Sequence, residues 1–271
     1  MQHVSGKAFH RARGLGSKDQ AGTRPSEGFF VVSVVIFTGL SRYRDPWHPV
    51  AETSAEIARV VRTFGIDPEM RTDETPDTLA DLGGVDLLIV NSGRGDPDAP
   101  PTYDPAWQPS FDALAAYAAA GSPILAVHSS AAAFPEWPAW TEIIGTGWTP
   151  GVSGHPEISL AVYEADPSAV DHPVFDCLTP IDGVTERPAV VAYDERYWRL
   201  AVHDGNTPLL GHETRGDWYV MGWSRGAHRI YDGLGHDRRS YASVQRRRYL
   251  ANEISWLLRD RAALSVNEGE L

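Results

Sequence analysis

The sequence predicts an α/β protein with a mostly parallel β-sheet between helical layers and an antiparallel extension in its C-terminal half. Three nearly continuous apolar runs, 29–37, 85–90 and 123–127, have the composition of strands that are buried on both faces. Helical apolar stripes lie between these runs, one over 57–64 and one over 111–118. Strands that alternate with helices in this way are typical of a parallel sheet.

The helix limits follow from glycines and from periodicity. Gly65 follows the first stripe and Gly121 follows the second, and each supplies a C-terminal stop signal. Residues 67–73 form a short additional strand candidate between the first two apolar runs. In parallel sheets ligands bind at the carboxyl ends of the strands, so the loops 38–49, 91–109 and 128–138 are the places to look for a site.

The pattern changes from about residue 156 onward. Short strand-like segments separated by Gly, Asp and Pro turns occupy 158–163, 189–193, 207–211, 218–223 and 228–231. They indicate an antiparallel extension or a long insertion. The chain closes with a predicted helix whose apolar stripe includes Leu250 and Ile254, and we expect Arg246–Arg248 to face solvent.

The length of 271 residues is compatible with one large domain, which we place at 29–260. Residues 1–28 contain five basic and two acidic residues, and we interpret them as a disordered basic tail or as the product of an upstream start codon. Residues 261–271 are predicted to be a second disordered tail. The first 28 residues lack the apolar core of a secretory signal.

Composition excludes several classes of protein. The net charge is −12, and an acidic body repels phosphate backbones, so we expect no nucleic-acid partner. The longest apolar run is too short to cross a bilayer, so we expect no membrane association. Cys177 is the single cysteine, which forbids an internal disulfide and a multi-cysteine zinc site. These features predict a cytoplasmic protein.

The segment 123–130 carries the most specific chemistry. An apolar strand turns abruptly into small residues there, which is the layout of a nucleophile elbow, with His128 at its tip and Ser129 next to it. An imidazole does not readily form an acyl intermediate, but it serves as an acid, a base or a metal ligand. The alternative is a structural histidine that is hydrogen-bonded at a strand end.

The histidines suggest a metal site. Five of the ten occupy suggestive positions: His48, His128, His155, His172 and His236. All except His172 lie in loops where a site can be built. Neutral imidazoles together with a carboxylate such as Glu195 suit zinc or another divalent transition metal. The candidate ligands are therefore His48, His128, His155 and His236, although the H-E-x-x-H spacing is absent and polar loop histidines are the alternative.

Two further segments are candidates for ligand contacts. The glycine-rich corner 226–237 presents His236 and Asp237, a pair that binds a ligand or caps the next helix. Asp194 and Glu195 follow a predicted strand, where a solvated acidic turn is the alternative.

Aromatic residues accumulate near the same loops. Trp47 and Trp148 have rings that suit the apolar faces of sugars, although Trp is also ordinary packing material. Neither a G-x-G-x-x-G fingerprint nor a G-x-x-x-x-G-K-[ST] loop is present, so nucleotide chemistry has no local support.

Several segments taken together resemble the ThuA family, the ThuA-like proteins of trehalose utilisation. The segments are 124–130, 140–148, 171–174 and 194–197, with the corner 226–237 and the helix around 254–256. The resemblance covers about 31–259. One departure is Ser130-Ala131, where many relatives have Gly-His.

The resemblance implies a flavodoxin-like three-layer fold of the class I glutamine amidotransferase-like superfamily. In those amidotransferases the elbow carries a catalytic cysteine; here His128 stands at that place and Cys177 lies far along the chain, so we expect no amidotransferase activity. The family is linked to sugar catabolism, in company with oxidoreductases that make keto-sugars. Pocket positions implied by the resemblance are His48, His128, Ser129, His155, Glu195, His236 and Asp237.

Three hypotheses follow. The first is an enzyme that hydrolyses or isomerises a small carbohydrate or keto-sugar, with His128 and His236 as acid/base groups or ligands, Glu195 as the supporting carboxylate and Trp47 or Trp148 as the sugar platform. The second is a non-catalytic sugar-binding or assembly protein that uses the same pocket. The third is a hydrolase with Ser129 as the nucleophile, which needs a His-Asp relay. Assembly as a homodimer stays open.

Overall fold

A nine-stranded sheet runs through the computed structural model, which describes residues 32–261 and 264–271. Its parallel part contains β1 (Val34–Thr38), β2 (Glu69–Thr72), β3 (Leu87–Asn91) and β4 (Ile124–Val127), in the order β2-β1-β3-β4. Every residue of β1, β3 and β4 is buried. Burial on both faces is what their continuous apolar sequences require.

The C-terminal half adds the antiparallel part. Its strands are β5 (Thr146–Gly147), β6 (Ser159–Ala165), β7 (Ala189–Asp194), β8 (Ala201–Val202), β9 (Asn206–Thr214), β10 (Asp217–Arg225) and β11 (Arg229–Asp232). β11 lies parallel to β4, and β10, β9, β6 and β7 continue the sheet with antiparallel pairs. After these four reversals β7 runs in the same direction as β4. The strands β5 and β8 form a separate two-stranded sheet.

Four helices cover the large sheet: α1 (Val50–Arg62), α2 (Gln108–Ala119), α3 (Ala139–Ile144) and α4 (Val244–Leu258). α1 packs with α4, and α2 packs with α3, so the helices form two layers. The predicted fold class, an α/β sandwich with a parallel first half and an antiparallel C-terminal half, is confirmed. Within the described residues, no helix has the length and apolar character needed to span a membrane.

The prediction that Arg246–Arg248 face solvent is wrong for Arg246. Its side chain is 0% exposed and its Nη2 lies 2.6 Å from Oδ2 of Asp232, at the end of β11. The guanidinium also donates to the carbonyl oxygen of Leu234. A buried charge needs such partners, and the partners come from a strand that the helical pattern could not reveal.

The structure describes residues near the C-terminus but not the predicted N-terminal tail. The predicted basic tail, 1–28, lies outside the described residues. Near the C-terminus, the backbone N–H of Asn267 donates to the carbonyl oxygen of Thr63, and Arg247 donates to the carbonyl oxygen of Leu271. The side chains of Leu264 and Val266 pack against the core.

Candidate functional site

The site forms where strands that run in the same direction end. The loop after β1 carries Trp47 and His48, His128 follows β4 directly, Glu195 follows β7 and His236 follows β11. Because these strands share one direction, their carboxyl ends meet at the same edge of the sheet. The side chains line an open cleft of about 810 Å³. Its other lining residues include Asp45, Arg94, Ser129, Trp148, His155, Tyr193 and Tyr197.

His128 is held in a strained backbone conformation at the elbow. Its φ is 49°, which is uncommon for a residue other than glycine, and its side chain is 1% exposed. The Tyr231 hydroxyl donates to the His128 carbonyl oxygen over 2.8 Å. Nδ1 of His128 lies 2.8 Å from the carbonyl oxygen of Gly233, which fixes the imidazole with Nε2 towards the cleft.

Glu195 is buried at the base of the cleft because two strands hold its backbone. The Tyr163 hydroxyl donates to the Glu195 carbonyl oxygen over 2.8 Å. The preceding carboxylate, Asp194, accepts hydrogen bonds from the backbone N–H groups of Glu195, Gly235 and His236 and from the Ser240 hydroxyl. Asp194 therefore locks the loop after β7 to the loop after β11.

Four imidazoles lie within 3.5 Å of the Glu195 carboxylate, and three of them, those of His48, His128 and His236, form with it a cluster of possible metal ligands. Nε2 of His128 lies 3.3 Å from Oε2, and Nε2 of His48 lies 3.5 Å from the same oxygen. Nδ1 of His236 lies 3.4 Å from Oε1. One ligand atom from each of these four residues lies within 4.8 Å of the others.

An oxygen atom lies within 4.0 Å of the opposite nitrogen of each imidazole in this cluster. His128 uses the carbonyl oxygen of Gly233, and Nδ1 of His48 lies 2.9 Å from Oδ1 of Asp45. Nε2 of His236 lies 3.8 Å from Oδ2 of Asp237, a longer contact. Metal-binding histidines characteristically have such carboxylate or carbonyl partners, which set the ring orientation.

The ionisable groups of the cluster have shifted pKa values. Burial alone would lower the pKa of His48, but its contacts with Asp45 and Glu195 outweigh burial and raise the pKa to about 9. Burial would raise the pKa of Glu195, whereas its contacts with His128, His236 and His48 hold that pKa far below the usual range. Burial, reinforced by the charge of Glu195, raises the pKa of Tyr197 well above 10.0, so its phenol is neutral.

Two predicted site residues occupy positions at the edge of this cluster. His155 lies at the cleft rim, where its Nδ1 is 3.2 Å from Oε1 of Glu195 and 2.9 Å from the carbonyl oxygen of Pro156. Asp237 is not among the cleft-lining residues. Its carboxylate binds Arg239, behind the His236 ring.

Ser129 lines the cleft, but the hydrogen bond of its hydroxyl leads away from the imidazoles. The hydroxyl donates to the carbonyl oxygen of Ser92 over 3.1 Å. Across the described residues it makes no hydrogen bond to an imidazole, which a Ser-His relay requires.

Sequence reasoning gave no role to Asp45, Tyr197 and Arg94. Asp45 precedes His48 by three residues, and that spacing was the available signal. Tyr197 follows Glu195 by two residues, and its hydroxyl lies 2.8 Å from Nε2 of His128. Arg94 lies in the loop after β3, and nothing in its local sequence distinguishes it from other surface arginines.

Comparison with known proteins identifies similar folds. No protein-family model and no curated protein sequence matches the chain. A ThuA-like protein from Parabacteroides merdae shares 14% identity with a TM-score of 0.66, over 88% of this chain and 98% of that protein. A ThuA-like protein from Bacteroides uniformis shares 15% identity with a TM-score of 0.60, over 84% and 91%. A glutamine amidotransferase from Thermotoga maritima shares 9% identity with a TM-score of 0.51, over 85% and 97%.

These similarities concern the fold. The structural neighbours are ThuA-like proteins and class I glutamine amidotransferase-like folds, as the sequence resemblance implies. Fold alone does not determine chemistry, so the function must be argued from the cleft.

Proposed function

We propose that this protein is a metal-dependent enzyme of carbohydrate catabolism that acts on a sugar or keto-sugar derivative by hydrolysis or isomerisation. The observation that carries the proposal is the convergence of three imidazole nitrogens on one buried carboxylate at the base of an aromatic-lined cleft. Three features support it: the fit of the cluster to a metal ion, the groups left to move protons, and the walls of the cleft.

The spacing of the cluster fits a transition-metal ion. Two ligands that each lie 2.0–2.1 Å from a tetrahedral zinc ion are about 3.3–3.4 Å apart. Nε2 of His128 and Nε2 of His48 lie 3.3 and 3.5 Å from Oε2 of Glu195, and Nδ1 of His236 lies 3.4 Å from Oε1. With one ligand atom taken from each of the four residues, all of these atoms lie within 4.8 Å of one another. Charge-assisted hydrogen bonds are shorter, about 2.7–2.9 Å. In addition, Nδ1 of His236 is buried without a hydrogen-bond partner, which an ion would supply.

The donor set also fits. Nε2 of His48, Nε2 of His128, Nδ1 of His236 and a Glu195 oxygen would hold the ion. Imidazoles suit zinc, copper, iron and nickel, and the carboxylate extends the choice towards manganese. When bound, the ion would supply Lewis-acid polarisation of a sugar carbonyl or activation of a water molecule.

Two groups next to the cluster are free to move protons. The neutral Tyr197 phenol lies 2.8 Å from Nε2 of His128, and an ion bound to that nitrogen would leave the hydroxyl available as a donor to substrate. Nδ1 of His155 faces Glu195 and Pro156, which leaves Nε2 of this half-exposed ring for substrate. Hydrolysis and isomerisation both need a positioned acid and base of this kind.

The walls of the cleft suit a carbohydrate. Trp47 is 61% exposed, and Trp148 and Tyr193 line the same cleft. Exposed aromatic rings stack against the apolar faces of sugar rings. The family that the sequence resembles is linked to sugar catabolism, which favours the same substrate class.

Elemental analysis of untagged protein, purified without chelator, tests the metal. We expect near-stoichiometric transition metal in the wild type and its loss in His236→Ala. The matched control is His203→Ala, because His203 lies outside the cleft and contacts Glu142. Wild-type protein that stays metal-free after titration with zinc, manganese, iron and nickel salts would overturn the metal-dependent function.

Turnover is then measured on the metal-loaded protein with a panel of keto-sugars and keto-glycosides, by product analysis. Conversion that disappears in His236→Ala and persists in His203→Ala would support the enzyme. Saturable sugar binding without conversion would instead identify the alternative, a non-catalytic sugar-binding protein that uses the same cleft.

A further inference from the structure

Arg94 is a cation without a partner in the cleft wall. Among the described residues that line the cleft, Arg94 is the one arginine, and none of them is a lysine, so it carries the one permanent positive charge of that lining. Its side chain is half-buried. Within residues 32–261 and 264–271, no carboxylate oxygen lies within 4.0 Å of its guanidinium nitrogens, and the guanidinium makes no hydrogen bond.

The backbone of Arg94 is clamped by two glycines that leave no room for side chains. The N–H of Gly93 donates to the carbonyl oxygen of Tyr43 over 2.8 Å, and the N–H of Gly95 donates to that of Arg44 over 3.0 Å. A Cβ at Gly93 would lie 2.6 Å from a neighbouring side chain. Gly95 has a φ of 87°, which favours glycine. The backbone on both sides of Arg94 is therefore fixed at the edge of the cleft.

The acidic groups of the cleft do not neutralise Arg94. Asp45 is engaged with His48, Glu195 is engaged with the imidazoles, and Glu157 is exposed at the rim. A half-buried guanidinium without a partner is costly, and a ligand that supplies an anion removes that cost. The guanidinium fork matches the two oxygens of a carboxylate.

We propose that Arg94 binds a carboxylate of the substrate, so that the enzyme acts on sugar acids, such as aldonates or uronates, rather than on neutral sugars. The inference rests on the proposed function, because the metal cluster would hold the reacting end of the same molecule. A carboxylate fits better than a phosphate. Phosphate sites usually add a helix N-terminus or a nest of backbone N–H groups, whereas a single arginine offers the one positive charge that a monoanionic carboxylate needs.

Matched pairs of ligands test this inference on the metal-loaded, full-length protein by calorimetry. The pairs are glucuronate with glucose and gluconate with glucitol, and glucose 6-phosphate forms the phosphate arm. We expect the acids to bind roughly 10- to 100-fold more tightly than their neutral partners, the range for charge-assisted hydrogen bonds. Added salt should weaken the binding of the acids selectively.

Substitutions at Arg94 distinguish its contribution to the binding of acids from that of the metal ion, which also attracts carboxylates. Arg94→Gln should lose the preference for acids and keep the affinity for neutral sugars, and Arg94→Lys should keep part of the preference. Arg44→Gln removes an equal charge from an exposed arginine that is not among the cleft-lining residues, and it should behave as the wild type.

The possible results distinguish a failure of the inference about Arg94 from a failure of the proposed function. Equal binding of acids and neutral sugars, or a preference that survives Arg94→Gln, overturns the inference and leaves the proposed function standing. A preference confined to glucose 6-phosphate also overturns it, in favour of a phosphorylated sugar. If no carbohydrate binds and no metal is retained, the proposed function itself fails.

Discussion

At the scale of single residues, the site depends on groups that contact the histidines rather than the proposed metal ion. Asp45 touches the far nitrogen of His48, and the carbonyl oxygen of Gly233 touches the far nitrogen of His128. With these contacts in place, Nε2 of His48 and Nε2 of His128 point towards Glu195. Such partners orient a metal ligand and increase its basicity, so their removal weakens a site whose ligands are all present.

Asp45→Asn should therefore lower metal affinity by roughly 10- to 100-fold without loss of stoichiometry at saturation. Competition with a chromophoric chelator measures the change. Glu157→Gln is the matched control, since it also removes one carboxylate from the cleft lining but touches none of the three imidazoles. Equal affinities for the two variants would contradict the assigned role of Asp45.

At the scale of elements, the corner after β11 is held by the buried face of α4. Arg246 on α4 reaches Asp232 at the end of β11 and the carbonyl oxygen of Leu234. Glu253, about two turns further along α4, is buried beside this pair. Burial, reinforced by the charge of Asp232, raises the pKa of Glu253 well above 4.5 and so favours the protonated form of Glu253 in the folded protein.

Two nearly isosteric substitutions should show that the carboxyl groups of Asp232 and Glu253 contribute differently to stability. Asp232→Asn leaves the Arg246 guanidinium buried without its counter-charge and should destabilise the fold by about 3–5 kcal/mol. Glu253→Gln replaces a buried carboxyl whose raised pKa favours its neutral form, so the free energy of unfolding at neutral pH should be unchanged or larger. Urea unfolding measures both. A larger loss in Glu253→Gln than in Asp232→Asn would refute a neutral Glu253 beside a charged Asp232.

The pH dependence of the Glu253→Gln effect has a defined sign. Because the pKa of Glu253 is raised in the folded state, folding above about pH 4.5 must take up a proton, and its contribution to stability falls as pH rises. The glutamine variant takes up no such proton. The difference in unfolding free energy, variant minus wild type, should therefore increase as the pH rises above about 4.5, and a flat or falling difference would contradict the raised pKa.

The same elements show what sequence patterns can and cannot predict. β4 is entirely apolar, and β1 and β3 are apolar up to their last residues, Thr38 and Asn91. A strand that is buried on both faces produces such a sequence. His48, His128 and His236 are predictable as site residues because each lies in a loop that follows a predicted strand. Glu195 is harder to place, because β7 joins the sheet at its far edge through the long-range pairs β9-β6-β7. The burial of Arg246 escapes the helical pattern because its partner comes from another element.

At the scale of the whole molecule, the cluster joins segments that are far apart in the chain. His48 and His128 belong to the parallel half of the sheet, whereas Glu195 and His236 follow strands of the C-terminal half. An ion bound by all four residues would connect the halves at one edge of the sheet. It binds the folded state, in which the ligands converge, more strongly than the unfolded chain, so metal binding should stabilise the entire domain.

Removal of the metal should therefore lower the unfolding temperature. An ion at 100 times its dissociation constant adds about 2.7 kcal/mol. For a domain of this size that corresponds to a shift of roughly 5–10 °C. Calorimetry of the wild type with metal and with chelator should show the shift, and His236→Ala should unfold near the chelated wild type under both conditions. If His236→Ala gained as much from metal as the wild type, the ion would bind elsewhere. The convergence of imidazoles on Glu195 would then be a charge cluster that maintains the fold without holding a metal.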